Sequence, residues 1–244
     1  PHLGASTREA QDKAGLTIAE QVQLALAGEF VPFAVNVDAA EASEAVRPFL
    51  PLAEQRGALF AGLVGHLPDR IDVEFCGDIG GYDNKRSLLS VVKGLLSQVS
   101  DDPVSYVNAL DLARDRGCEV RAITNASARE YVSSVIVRGG GHSIGGTLSV
   151  SGEPRLVLID DHAVELPPSP HMIVIHNEDR PGMIGSVGRV LGDAEVKIDL
   201  MHIGRSPEGL GALMVLATSV PIDHETCASL AEVDGIASVS FIEL

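Results

Sequence analysis

Tryptophan is absent from the 244 residues and aromatic residues make up 4% of them, so aromatic stacking is excluded as a principal way of holding a ligand or a base. Cores must instead be built from Leu, Val, Ile and Ala, which suits small layered domains. Cysteine is nearly as scarce. Cys76, Cys118 and Cys227 lie far apart, so the sequence has no CxxC pair for zinc or redox chemistry, and an odd count does not suit a disulfide framework. A reducing cytoplasm is the expected location. Positive charge is also in short supply, with 18 Lys and Arg against 34 Asp and Glu and a formal net charge of -16. Such a chain repels a nucleic acid backbone or an anionic membrane surface, so neither is an expected partner. No apolar run reaches the roughly 18 residues that a spanning helix needs, and the N-terminus lacks the basic and apolar regions of a signal peptide.

What is present is a globular balance, 45% hydrophobic and 21% charged, at a length suited to two domains. Ser6 and Glu9 have capping-box spacing, and Ala10, Ala14, Ile18, Val22, Ala25 and Leu26 continue at helical spacing to Gly28, which predicts an N-terminal amphipathic helix. Glu29 to Asp38 reads as an extended connector, because Pro32 blocks a helix. Helices are then expected over Ser43 to Gly57, Lys85 to Ser100 and Ala109 to Arg116. Ile71, Val73 and Phe75 alternate with polar neighbours as in a half-buried strand. Further strands are expected at Cys118 to Thr124, Tyr131 to Arg138, Gly146 to Val150 and Leu156 to Ile159. Arg138-Gly139-Gly140-Gly141-His142 is either a glycine-rich hairpin turn, the favoured reading, or a flexible cationic loop.

Three prolines in Leu166 to Pro170 form a stiff spacer and mark a boundary. Beyond it the patterns run strand, helix, strand, strand, helix, strand, the βαββαβ split unit of ferredoxin-like folds. The expected fold class is therefore α/β and α+β, a mixed domain over 31–166 followed by a ferredoxin-like domain over 170–244. The helix of residues 1–30 precedes both.

Between the first strand and helix of the last unit stands Asn177-Glu178-Asp179-Arg180-Pro181-Gly182. Pro181 suits a first helical turn, and the N-terminus of that helix favours a carboxylate. Asp179 either accepts from an ammonium group or caps the helix. No spacing suits a metal: His171 and His176 are five apart on a strand and point to opposite faces.

Two stretches resemble known families. The element order together with "DRPGMIGSVGRVLGDAEVKI" resembles an ACT domain, a class that binds small effectors, usually amino acids. In the version found in long-form phosphoglycerate dehydrogenases, serine is held at a dimer interface by polar residues before the Arg-Pro-Gly and by an Asn near the second strand. The matching positions are Asn177, Asp179, Arg180, Pro181 and Gly182, with Lys197 in place of the Asn. That Lys can pair with a carboxylate but cannot accept from an ammonium or hydroxyl group. "PHLGASTREAQDKAG" followed by "VNV" resembles the point where D-2-hydroxyacid dehydrogenases return to their substrate domain, and makes His2 the general acid/base of the parent enzyme.

The region 31–166 resembles the intervening, or allosteric substrate-binding, domain of the long-form dehydrogenase, with Arg155 and His162 near the positions of an anion-binding cluster. The resemblance implies the regulatory portion of an NAD-dependent dehydrogenase of L-serine biosynthesis, acting on 3-phosphoglycerate. It further implies L-serine or another small amino acid as effector and a homodimer or homotetramer joined through both domains. With no GxGxxG after a strand, the chain itself is expected to bind no cofactor, to hold no metal and to be inactive alone, NAD belonging to the parent. The alternatives are a part of an iron-sulfur L-serine dehydratase and a pure oligomerisation module.

Overall fold

A computed structural model describes residues 4, 6–35, 42–128, 130–205 and 211–244. Helix α1 (Arg8–Leu26) starts one residue later than the Ser6 and Glu9 spacing predicts, because Thr7 is the N-cap and its hydroxyl accepts from the Ala10 amide at 3.2 Å. None of its residues is buried, and Leu16, Ile18, Val22 and Leu26 stand exposed. The connector after it is not simply extended. Phe30 and Val31 are buried, and the Phe30 ring lies edge-on to Tyr106 with the Arg86 guanidinium 4.1 Å over its face. Apolar contact and a cation over the ring dock this segment despite Pro32. Residues 36–38, the end of the expected connector, lie outside the described residues.

Helix α2 spans Phe49–Val64 rather than Ser43 to Gly57. Ser43 to Arg47 forms turns, with the amides of Val46 and Arg47 donating to the Ser43 carbonyl. Pro48 sits at the N-cap and Pro51 falls in the first turn, where a missing amide costs no helical bond. Gly57 does not end the helix. A Cβ there would strike the Val91 carbonyl of α3 (Lys85–Val99), and one at Gly94 would strike the Glu54 carbonyl, so the two glycines let the helix backbones meet. The stop is Gly65, at φ 75°.

The first sheet has the order β2-β1-β3-β4-β5-β6, from β1 (Arg70–Gly77), β2 (Glu119–Asn125), β3 (Ser133–Gly139), β4 (His142–Leu148), β5 (Pro154–Ile159) and β6 (His162–Leu166). β1 and β2 are parallel and the other neighbours antiparallel. Ile71, Val73 and Phe75 are buried as their alternation predicts. Short helix α4 (Ala109–Asp115) leads into β2. Arg138 to His142 forms a hairpin turn, with Gly140 and Gly141 at φ 56° and 84°. β4 begins four residues before the expected Gly146. Gly145 and Gly146 belong to the strand because Leu158 and Arg56 occupy the space where side chains would go. β6 had no counterpart in the sequence reading.

The second sheet, order β10-β7-β9-β8, is built from β7 (His171–Asn177), β8 (Ile198–Arg205), β9 (Ala212–Thr218) and β10 (Ile236–Glu243), antiparallel throughout. Helices α5 (Met183–Asp193) and α6 (His224–Ala231) complete the βαββαβ order. Ile173, Ile175, Met214 and Leu216 cluster with Met183, Val187, Leu191 and Leu230 of these helices. Met172, Val174, Leu213, Val215 and Ile242 belong instead to one cluster with Leu59, Phe60 and Leu63 of α2. The spacer at Leu166 to Pro170 therefore joins two sheets that share a core. No helix among the described residues is long and apolar enough to cross a membrane.

Arg56 of α2 is fully buried, and neither Nε nor Nη1 has a hydrogen-bond partner. Burial lowers its pKa to about 9. Replacing it with an apolar side chain of similar length removes unpaired buried donors, so Arg56→Met is expected to raise unfolding free energy by about 2 kcal/mol in urea titrations. Gly94→Ala should lower it by about 2 kcal/mol in the same assay, because a Cβ is forced into the α2 backbone.

Candidate functional site

The loop from β7 to α5 carries most of the residues singled out from sequence. Asn177, the last residue of β7, is buried. Its Nδ2 donates to the Glu178 carbonyl at 2.7 Å, while Oδ1 is buried with no hydrogen-bond partner. It shares the strand parity of Ile173 and Ile175, which places it on the helix-covered face. Asp179 is exposed. α5 begins at Met183 with Gly182 as N-cap at φ 96° and no side-chain cap, so Pro181 lies in the preceding turn and not in the helix, and Asp179 does not cap it. The first-turn amides remain open to a ligand.

Arg180 is engaged by two acidic residues. Its Nη2 donates to Asp234 Oδ2 at 2.6 Å and its Nε lies 3.2 Å from Glu178 Oε2, which straps the loop to the segment before β10. The hydrogen bond and charge of Asp234 raise its pKa further. Gly235, at φ 89°, leaves room for the guanidinium. Lys197 donates to Asp199 Oδ1 at 2.7 Å, which also raises its pKa. Register puts it far from the loop. Asn177 pairs with Ala212 at one end of β9 and Ile198 with Thr218 at the other, six residues or about 20 Å away. One chain does not bring Lys197 and Asn177 together.

Arg155 and His162 do not form one anion site. Arg155 lines a cavity of about 360 Å³ with Tyr131 and Glu165, whereas His162 lines another of about 320 Å³ with His176 and Asn177. Arg155 stands near the start of β5 and His162 opens β6 past its turn, so the two lie at opposite ends of the hairpin. Arg138, on the face turned from the helices, is held 2.8 Å from Asp161 and 3.9 Å from Glu74. His2 lies outside the described residues. Burial pushes the Cys76 thiol up to about 11, and among the described residues no three His, Cys, Asp or Glu are grouped to hold a metal.

A polar cluster was missed from sequence. Asp160, in the two-residue turn between β5 and β6, accepts at Oδ2 from His176 Nε2 at 2.8 Å and from His142 Nδ1 at 2.9 Å. Its Oδ1 accepts from the Ser143 amide at 2.9 Å. Burial opposes its ionisation, but the bonds from His176, Ser143 and His142 outweigh burial and hold the carboxyl below its usual range. The only local signal was Asp160-Asp161 between two apolar runs, which reads as a turn and says nothing of distant histidines.

Comparison with known proteins adds to this geometry. Residues 45–160 match the model of the D-3-phosphoglycerate dehydrogenase intervening domain, and residues 171–230 match the ACT domain. The chain is 36% identical to a D-3-phosphoglycerate dehydrogenase of Synechocystis sp. over 251 aligned positions, covering 100% of this chain and 45% of that protein. It is 40% identical to the enzyme of Mycobacterium leprae over 88% of this chain and 42% of that protein, and 32% identical to that of Archaeoglobus fulgidus over 100% and 48%. The chain thus spans about half the length of the curated relatives it matches. An intervening domain and an ACT domain stand in this order and relatives align along the chain's length, so the chain corresponds to the part of D-3-phosphoglycerate dehydrogenases that carries those two domains.

Proposed function

We propose that this chain is the regulatory and assembly portion of a cytoplasmic D-3-phosphoglycerate dehydrogenase, and that a small amino acid, with L-serine the leading choice, binds at the Asn177 to Gly182 loop. The parent enzyme uses NAD on 3-phosphoglycerate in the first step of L-serine biosynthesis, with His2 as its acid/base and the nucleotide site outside this chain. The observation that carries the reading is the uncapped N-terminus of α5 beside a buried, unsatisfied Asn177 Oδ1. Free amides and the helix dipole suit the effector carboxylate, while Asn177 Oδ1 and Asp179 can accept from its ammonium.

Lys197 enters such a site only from a second copy, since its own chain holds it about 20 Å off. The site then lies between two ACT domains of a homodimer or homotetramer, and effector binding acts by favouring one arrangement of subunits. A second reading, in which the ACT unit only joins subunits, is favoured by the pairing of Lys197 with Asp199.

Titration with L-serine while following thermal unfolding separates the two. Saturation at 100 times the dissociation constant is expected to add about 2.7 kcal/mol of stability. Asp179→Ala, an exposed change that leaves the fold intact, should weaken binding at least tenfold. A flat response to L-serine and to every other amino acid leaves the assembly reading in its place.

A further inference from the structure

β7 presents two functional faces in consecutive residues. Asn177 looks toward the helices of its own domain, and His176 looks the other way, into the junction with the first sheet. There Asp160 receives both His176 and His142, one from each domain, on a single carboxylate oxygen. His162 adds a third imidazole, its Nδ1 donating to the Asp160 carbonyl at 2.7 Å and its ring edge-on to His176 at 5.7 Å.

The backbone of this turn argues that the side chain is what the position serves. Asp160 and Asp161 take φ 45° and 61°, a region that glycine enters freely. The neighbouring β3–β4 turn uses Gly140 and Gly141 for the same conformation. A carboxylate at the strained position is explained by its three hydrogen bonds, two of them to imidazoles. Among the described residues, the other charged groups nearby are accounted for. Asp161 pairs with Arg138, Glu178 on the rim of the His162 and His176 cavity faces Arg180, and His66, Asp69, Arg70 and Asp72 line the cavity on the far side of His142. Beside the cluster the sheet edges touch, with Gly204 of β8 against Ala163 and His162 of β6.

We propose that Asp160 is an interdomain latch, a positioning residue that couples the effector loop at the end of β7 to the β4, β5 and β6 corner of the intervening domain through His176 and His142. Movement at Asn177 is then felt at β4 without passing through the Pro-rich spacer. The coupling exists whether or not an effector binds, and only its regulatory use rests on the function proposed above.

A double-mutant cycle of Asp160→Asn and His176→Gln on the whole chain, read by hydrogen exchange at neutral pH, tests it. Each single change is expected to speed exchange about tenfold both in residues 171–177 and across the junction in residues 142–148, as for loss of charge-assisted hydrogen bonds. The double variant should be no faster than the faster single one, because both changes break one latch. A merely structural Asp160 gives faster exchange confined to its own hairpin and effects that add, and either result overturns the proposal. If Asp160→Asn does not fold, His176→Gln alone decides, since it leaves the hairpin intact: unchanged exchange in residues 142–148 defeats the latch. Adding L-serine distinguishes the two readings, because a failed effector response with a non-additive cycle removes the effector assignment and keeps the latch.

Discussion

Helix α2 is apolar on nearly every side, and the rest of the architecture follows from where such a helix can go. A surface helix needs one apolar stripe; this one buries Leu52, Ala53, Leu59, Phe60, Ala61 and Leu63 around its circumference. It satisfies them by lying between two sheets and against α3. The intervening sheet covers one side, the inner face of the ACT sheet covers another, and Gly57 and Gly94 draw α3 onto a third. The ACT sheet consequently has no free face: α5 and α6 cover one side and α2 the other, which is why every residue of β9 is buried.

That shared core gives the polar junction its setting. Asp160, His142 and His176 sit beside the contact between edge strands β6 and β8, partly shielded from water, so their hydrogen bonds are worth more than they would be on an open surface. The apolar contact between domains sets their distance and has no direction of its own. The carboxylate bridge adds direction, because it is satisfied at one relative placement of β7 and the β5–β6 turn. The proposed effector loop and the bridge begin at consecutive residues on opposite faces of the same strand, so a rigid strand is the only link they need.

Much of this was legible in the sequence, and the exceptions have physical causes. Period-2 and period-3.6 patterns marked β1 and α3, which contrast an apolar with a polar side, while short apolar runs between turn residues marked α4 and the elements of the ACT unit, β9 among them although it is buried on both faces. α2 was misplaced because a helix buried all round shows no such contrast, and its prolines and Gly57 imitate boundaries that first-turn position and helix contact make harmless. β4 began too late because its glycines make room for Arg56 and Leu158, which only the fold reveals. Within the candidate site, the turn and its resemblance pointed to Asn177 through Gly182. The direction of Arg180 toward Asp234, the separation of Arg155 from His162 and the Asp160 bridge all depend on residues distant in sequence, which local patterns do not encode.

The central claim is that the two sheets share one core through α2, and differential scanning calorimetry of the whole chain tests it most directly. The account predicts one cooperative transition whose calorimetric and van't Hoff enthalpies agree. Two resolved transitions, one for each domain, would contradict it.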